Sequence, residues 1–380
     1  MNRYYWRTRM KRFGIFFIYV ILGALLLGLP CCAEEAVKTR TLTDMAGNVV
    51  EIPENIERVA FFGGPIGQVP YILGVQDTIV ATSIGSKNSQ LLNIMDDNLK
   101  NIPAARQTNG IINIEELIKS EPQFVLAGDV DGAIVEKQTT IPVVYFFENS
   151  EGTAEQTKAE VAFIGSIYGK DDRAQKYANY LDSMLSLVKS RIGDIPLSEQ
   201  KVLFNGYDAN HLITYGGDSY MQERIEAAGL KNAAQEVNTS GVRPGIHAGL
   251  DEISMEQVLK WNPDILVIDT GSPEDVYNDP KWASVKAVQN RQVYRLPNGV
   301  FVWNRPTAES AVLHPLWMAK IAYPERFNDI DMHDEVKKFY QEIFSYELTD
   351  EQVDKILSGE FASAISAGKG QTNQTNMGNK

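Results

Sequence analysis

Four histidines, His211, His247, His314 and His333, are the only imidazoles in 380 residues, and none lies within metal-pairing distance of another in the sequence. A bare zinc or manganese site takes several imidazole and carboxylate ligands, so the chain is poorly furnished for one. It has no GxSxG elbow, no phosphate-binding P-loop, no HExxH, no CxxC and no GxGxxG after a strand, and nothing nominates a nucleophile. What remains is binding chemistry. Arg243 and Arg305 offer planar forks suited to carboxylate or catecholate oxygens. Tyr215, Tyr220 and Trp303 offer flat faces for a ring-bearing ligand. His247 offers a nitrogen to an open coordination position on a chelated metal. Phe61, Phe62, Gly63, Gly64 and Lys87 join them by position, because ligands gather in loops after strand ends in α/β sheets.

The elements that must position these residues are organised by a duplication. Residues 113–129 read NIEELIKSEPQFVLAGD and residues 254–270 read SMEQVLKWNPDILVIDT. Aligned without gaps, Glu115 falls on Glu256, Lys119 on Lys260 and Pro122 on Pro263. Each copy reads as a short helix, a turn carrying proline and a buried strand, since proline disfavours helix in the residue before it and the apolar runs Phe124–Ala127 and Ile265–Ile268 have the length of strands covered on both faces. A unit repeated about 140 residues apart predicts two similar α/β lobes with mostly parallel sheets rather than a solenoid.

In chain order, residues 41–56 predict a hairpin turning at Ala46-Gly47-Asn48. Strands follow at 59–62, 79–81 and 141–147, with a helix through Tyr71 and Leu73. Thr153 with Gln156 has a capping-box spacing, and the helix it opens stops at Gly169. From Asp171 the apolar positions Ala174, Tyr177, Ala178, Leu181, Met184, Leu185 and Val188 keep helical spacing without a miss, predicting a helix long enough to cross between lobes. The second lobe is expected to hold strands at 202–204 and 292–296 and a helix at 220–228. A last long helix is expected to have Pro306 at its first position and to end before Pro324, with helix again at 332–357. The expected organisation is a signal peptide at 1–33, an N-terminal lobe at 34–152, interlobe helices at 153–192, a C-terminal lobe at 193–357 and a disordered tail at 358–380.

The N-terminus has the layout of a secretion signal: Arg3 to Arg12, an apolar run from Phe13 to Leu29, then Cys31-Cys32-Ala33. Cleavage after Ala33 and lipidation at Cys31 or Cys32 both stay open, so the protein is expected outside the cytoplasmic membrane, periplasmic or at the cell surface. Both cysteines lie here, leaving the body no disulfide. Net charge is −13, and the leader holds basic residues but no acid, so the body is more acidic still; this argues against nucleic acid as a partner.

With these pieces in order, the chain resembles the substrate-binding proteins of the iron-siderophore and cobalamin class of ABC importers. The likeness rests on TLTDMAGNVVEIP before the first strand, the NIEELI and SMEQVL repeats, the GKDDRAQKYANYL helix and the RPTAES to WMAKIAYPERF segment, and it spans about residues 41–345. The resemblance implies a ligand cleft between two lobes joined by a long interlobe helix, and a surface glutamate on each lobe meeting arginines of the membrane permease. Carried over residue by residue, these are Glu115 and Glu256. His247, in an HxG context before the SxE motif, resembles the metal-facing histidine of some catecholate-binding relatives and would act only through a chelate. The implied function is extracytoplasmic capture of a metal chelate, a ferric siderophore foremost, by a monomer with no resident cofactor and no catalysis.

Other readings stand beside these. Phe61 and Phe62 fit strand core, Arg243 a solvated loop charge, Trp303 a helix staple, Arg305 a local pair, and the two glutamates simple helix-dipole partners. At the level of function, an enzyme on the same scaffold would be revived by Glu115 and Glu256 buried face to face, and a sensor without a transporter is the third alternative.

Overall fold

The computed structural model describes residues 38–107, 110–146, 152–238 and 250–361. Strands β1 (Thr39–Thr43) and β2 (Val49–Pro53) form the expected hairpin. Its turn is closed by Asp44, whose Oδ1 accepts from the amides of Ala46 (3.0 Å) and Asn48 (2.8 Å), and by Gly47 at φ +86°.

The first sheet holds β3 (Val59–Phe61), β4 (Ile79–Ser83), β5 (Ala104–Arg106), β6 (Phe124–Ala127) and β7 (Val143–Tyr145) in the order β5-β4-β3-β6-β7, every pair parallel. The second holds β8 (Val202–Gly206), β9 (Ile213–Tyr215), β10 (Lys231–Asn232), β11 (Leu250–Glu252), β12 (Ile265–Ile268) and β13 (Val293–Arg295). Its order is β11-β9-β8-β12-β13, with β10 also against β8. Strand β9 runs antiparallel to both neighbours, and β8, β12 and β13 are parallel. Each sheet with its helices forms one lobe.

The duplication is visible in detail. Helices α2 (Ile114–Lys119) and α7 (Met255–Trp261) lead into β6 and β12; the first helix, α1, is Val69–Leu73. The caps match: Asn113 accepts from the amide of Glu116 (3.1 Å), and Ser254 from that of Gln257 (3.2 Å). So does the exit, where Glu121 and Asn262, aligned in the two copies, both take left-handed backbone at φ +46° and +42°. Strands β6 and β12 are buried along their whole length, as a parallel strand covered on both faces must be.

After α3 (Asp129–Gln138) and β7, helix α4 (Ala154–Ile167) is capped by Thr153, which accepts from the amide of Gln156 (3.2 Å). Gln156 Oε1 reaches back to the amide of Gly152 (2.9 Å), one residue beyond the expected capping box. Helix α5 (Asp171–Ile192) then runs 22 residues, about 33 Å at 1.5 Å per residue. The predicted apolar stripe is its buried face, with Ala178 and Leu185 half-buried, and it also takes in Tyr180, which lies edge-on to Phe339 (centroids 5.7 Å). One end of α5 grips the first lobe through Arg173 Nε on the carbonyl of Ile72 (2.7 Å). The middle reaches the second through Tyr177 Oη on the carbonyl of Ala308 (3.1 Å), and the far end through Arg191 Nη2 on Asp329 (2.7 Å). One apolar core runs continuously from β3 and α1 through α5 to the C-terminal helices, and two smaller ones fill the other face of each sheet.

The expected C-terminal half needs correction in four places. Tyr215 ends strand β9 rather than lying in a loop; β5, β9, β10 and β11 have two to three residues each and leave no periodic signal. After α6 (Tyr220–Ala227) and α7, the long helix α8 spans Ala308–Ala322 and is opened by a Thr307–Ser310 capping box, so Pro306 precedes the cap instead of starting the helix. The stretch 332–357 is not one run: α9 (Met332–Phe339) passes into a π-helical turn ending at Ser345 (φ +56°), and α10 is Asp350–Leu357. Residues 358–361 are not loose tail, since Phe361 is buried and its carbonyl accepts from Asn298 Nδ2. The expected leader, Arg243, His247 and residues 362–380 lie outside the described residues.

Leu181 is fully buried where α5 joins the lobes, whereas Ser186 on the same helix faces solvent. Leu181→Ala should cost about 2–5 kcal/mol of unfolding free energy in a urea titration, against less than about 0.5 kcal/mol for Ser186→Ala.

Candidate functional site

In a parallel α/β sheet the loops after the strands' C-terminal ends converge on one side, and both lobes place polar clusters there. In the second lobe the centre is Asp269, one residue past β12. Its Oδ1 accepts from Asn205 Nδ2 (2.8 Å) and its Oδ2 from Asn304 Nδ2. Desolvation of the carboxyl pushes its pKa up to about 7 against the pull of Asn205, Arg305 and Asn304.

Arg305 lies beside it. The residue is 6 % exposed, and its Nε and Nη1 are enclosed without a hydrogen-bond acceptor. Burial opposes its charge, but Tyr215, Tyr220 and Asp269 outweigh burial and hold its pKa above the ordinary arginine value. The loop that carries it is clamped from three directions. Tyr220 Oη donates to the carbonyl of Asn304 (2.7 Å), and Tyr215 Oη reaches the same oxygen at 3.4 Å. Arg224 Nη1, buried under the loop, donates to the carbonyls of Trp303 (3.1 Å) and Arg305 (2.8 Å) and to Ser310 Oγ (2.9 Å).

A second buried group holds the same loop from the other side. Both carboxylate oxygens of Glu309 are used: Oε2 by the amide of Val300 (3.0 Å), Oε1 by Trp303 Nε1 (3.0 Å) and Tyr340 Oη (2.7 Å). Its own amide donates to Gln68 Oε1 (3.1 Å), and Ser89 Oγ donates to the carbonyl of Val300 (2.7 Å), so first-lobe loops are tied to this segment. Burial pushes the Glu309 pKa up to about 7 despite the donors Tyr340 and Trp303 and the backbone amides of Val300 and Phe301. His314 is buried between Trp303 and Trp317, and burial pushes its pKa down, leaving it neutral.

In the first lobe, Gly64 is buried where a Cβ would come within 3.7 Å of Arg106 Nη1. Arg106, at the end of β5, pairs through Nε with Asp131 in the first turn of α3. Burial pushes the Asp131 pKa up, against the opposing pull of Arg106.

Of the residues singled out in the sequence, Tyr215, Tyr220, Trp303 and Arg305 come together around one loop, and Gly64 lies beside Arg106. Three positions are corrected. Phe61 is 1 % exposed and stacks on Phe146 (centroids 5.9 Å), so it is core like Phe62. Trp303 is fully buried with its indole bound to Glu309, which makes it a support of the loop rather than an open face. Lys87 turns onto its own lobe, donating to the carbonyl of Ile102 (2.6 Å). The sequence reading missed Arg106, Asp131, Asn205, Arg224, Asp269 and Glu309; for Asp269 a signal was available, since it directly follows the buried strand of the second copy.

Glu115 and Glu256 are both exposed, each in the first turn of its helix, and they do not face one another in a buried site. Helix α2 joins parallel β5 and β6, and α7 joins β11 and β12, which the antiparallel steps through β9 also leave parallel. Each helix must therefore start at the C-terminal end of its strands, which puts both glutamates at the end of the sheet that carries the polar loops.

The chain belongs to the periplasmic binding protein family, whose profile matches residues 59–300. Within it the fold is that of the class III substrate-binding proteins of ABC importers, which includes siderophore-, cobalamin-, haem- and molybdate-binding members. The chain is 24 % identical over 342 residues to the molybdate-binding protein MolA of Haemophilus influenzae, covering 83 % of this chain and 94 % of that one. A periplasmic solute binding protein from Veillonella parvula superposes with a TM-score of 0.73 at 26 % identity, covering 85 % of this chain and 98 % of the other. Helicobacter pylori CeuE with Ni(II) bound superposes at 0.65 with 24 % identity, covering 84 % and 99 %.

Glu309 gives a pH prediction. Its pKa in the fold, about 7, lies above the ordinary 4.5, so the unfolded chain releases this proton first as pH rises. Its contribution to stability is full below about 4.5 and is lost as pH rises through about 7. In urea unfolding, the stability of the parent relative to Glu309→Gln should fall by a few kcal/mol, at about 1.4 kcal/mol per pH unit between pH 5 and pH 7, and level off above that; a difference constant with pH would contradict it.

Proposed function

We propose that this chain captures a metal chelate outside the cytoplasmic membrane, a ferric siderophore foremost, and delivers it to an ABC permease without catalysing a reaction on it. The observation that carries the reading is Arg305, a buried cation with two N–H-bearing nitrogens that meet no protein acceptor. A charged group costs several kcal/mol to desolvate unless it is fully paired. Asp269 supplies a nearby carboxyl but bonds to Asn205 and Asn304 rather than to those nitrogens. An anionic oxygen from a ligand would find donors already desolvated and held in place by the clamped loop, the condition for strong charge-assisted hydrogen bonds. Catecholate, hydroxamate and carboxylate oxygens of a ferric chelate have this chemistry. The relatives point the same way: MolA is a molybdate-binding protein, and YfmC of Bacillus subtilis, 23 % identical over 188 residues, is an Fe(3+)-citrate-binding protein.

The other parts fit this role. Tyr220 and Arg305 line the second-lobe side and Gly64 with Arg106 the first-lobe side, and Arg243 and His247 are retained as ligand contacts, His247 through the chelated metal. The leader at 1–33 supports export, with plain cleavage or a lipid anchor at Cys31 or Cys32. The exposed Glu115 and Glu256, at the loop-bearing end of their sheets, support docking to the permease.

The test is a titration of the purified protein, followed by tryptophan fluorescence, with ferric catecholate and hydroxamate siderophores, ferric citrate, cyanocobalamin, haem and molybdate. One ferric chelate should bind most tightly, and Arg305→Met should weaken it at least about tenfold, the loss of one charge-assisted hydrogen bond. Unchanged affinity in Arg305→Met, or no response to any ferric chelate, would overturn the reading.

A further inference from the structure

Asp269 and Asn304 make a pair that the anion reading of Arg305 does not use. The Asp269 carboxyl is enclosed one residue past β12, with Asn205 Nδ2 on its Oδ1 (2.8 Å) and Asn304 Nδ2 on its Oδ2. The Asp269 amide donates to the carbonyls of Gly206 and Tyr207 (3.0 Å each), which fixes the residue to the exit of β8. The side-chain amide of Asn304 is only half used. The residue is 1 % exposed, and its Oδ1 is enclosed with no hydrogen-bond partner among the described residues. An ionised carboxyl can only accept, so it takes the Nδ2 end of that amide. A protonated carboxyl can donate, and the amide turned over about its last torsion brings Oδ1 to receive the proton. The turn breaks no bond at Oδ1, because none is made there.

The charged and titratable groups around this carboxyl are few. Arg305 stays charged, since its neighbours outweigh burial, and its pull is one of the forces that favour an ionised Asp269. Past β8, burial raises the pKa of Asp208, but His211 and the amides of Asn210 and His211 outweigh it and keep Asp208 ionised. Tyr215 on β9 is neutral, its pKa raised by burial, and Tyr220 on α6 donates its hydroxyl to the carbonyl of Asn304. Arg295 on β13 lies against Gly359, and Asp275 accepts from the amide of Ser272 (2.9 Å). An oxyanion on Arg305 would occupy the charge that favours the carboxylate and add a second negative charge to a cluster that solvent screens little.

We propose that capture of an anionic chelate at Arg305 is coupled to uptake of one proton from solvent by Asp269, which donates it to the turned amide of Asn304. The inference rests on the anion reading of Arg305 given above. One O–H bond forms on Asp269, and no bond of the chelate breaks. Asp269 acts as a positioning residue: neutral, it leaves Arg305 to the chelate, and ionised, it competes with the chelate for the same cation. Desolvation has already brought its carboxyl to a pKa of about 7, so the coupling falls at neutral pH. Well below that value Asp269 carries the proton before and after capture. Above it, capture must bring the proton in, so affinity for an anion falls as pH rises.

The experiment is calorimetric titration of the purified protein with a ferric tricatecholate and with ferric citrate, between pH 5.5 and pH 8, in buffers of unlike ionisation enthalpy. At pH 7.5 the parent should take up between about half and one proton per chelate bound, and at pH 5.5 almost none. Its affinity should be about fivefold to tenfold weaker at pH 8 than at pH 6. Asp269→Asn keeps the neutral shape at every pH, so it should lose this proton uptake and bind about fivefold more tightly than the parent at pH 8. His211→Gln should keep the slope of the parent. A parent that takes up no proton at pH 7.5 would overturn the inference, and this count decides alone should Asp269→Asn fail to fold. A slope kept in Asp269→Asn would assign the proton to Glu309 or to the chelate, and a slope lost in His211→Gln would assign it to His211; either would overturn it. A parent that binds neither anionic chelate would overturn it too, while the capture reading falls only if ferric hydroxamates are refused as well.

Discussion

The buried face of helix α5 is shared between the two lobes, and the rest of the molecule is arranged around that sharing. Tyr177, Leu181, Met184 and Val188 pack into one core that continues into both sheets and the C-terminal helices. A hinge that pulled the lobes apart would carry these side chains into water, at about 1.5–3 kcal/mol for each large apolar group uncovered. It would also break Arg173 from Ile72 and Tyr177 from Ala308. The architecture therefore favours small relative movements over wide closure, and ligand affinity must come from groups already in place.

The loop at 303–307 shows how those groups are held. Arg224 binds its carbonyls from beneath, Tyr220 binds Asn304 from one side, and Glu309 holds Trp303 from the other. None of these contacts serves a ligand directly, yet together they keep Arg305 beside Asp269 with donor capacity unspent. Buried polar networks are costly when partly satisfied, so the unspent donors concentrate the cost at one place, where an incoming anion can relieve it. Relatives in sequence are molybdate-, Fe(3+)-citrate- and cobalamin-binding proteins.

The scaffold was legible in the sequence because its signals are local. The apolar stripe of α5, the cap at Thr153 and the buried runs of β6 and β12 all depend on neighbours within a few residues, and each appears where its pattern put it. The site was legible only in part because its contacts are not local. Arg224 meets a loop about 80 residues away, Glu309 gathers Trp303 and Tyr340, and Arg106 meets Asp131 across a helix. An aromatic after a strand end looks the same in sequence whether its ring is open or enclosed, which is why Phe61 and Trp303 read as contacts and proved to be core and support. The two-residue and three-residue strands carry no period to detect.

The proposed cargo is a metal chelate. This is tested most directly on protein purified from its native host without added ligand, by an absorption spectrum together with metal analysis of the same sample. A ferric charge-transfer band and close to one iron per chain are expected, both lost when the chelate is extracted under denaturing conditions. A colourless, metal-free protein whose tryptophan fluorescence ignores every ferric chelate offered to it would contradict the claim.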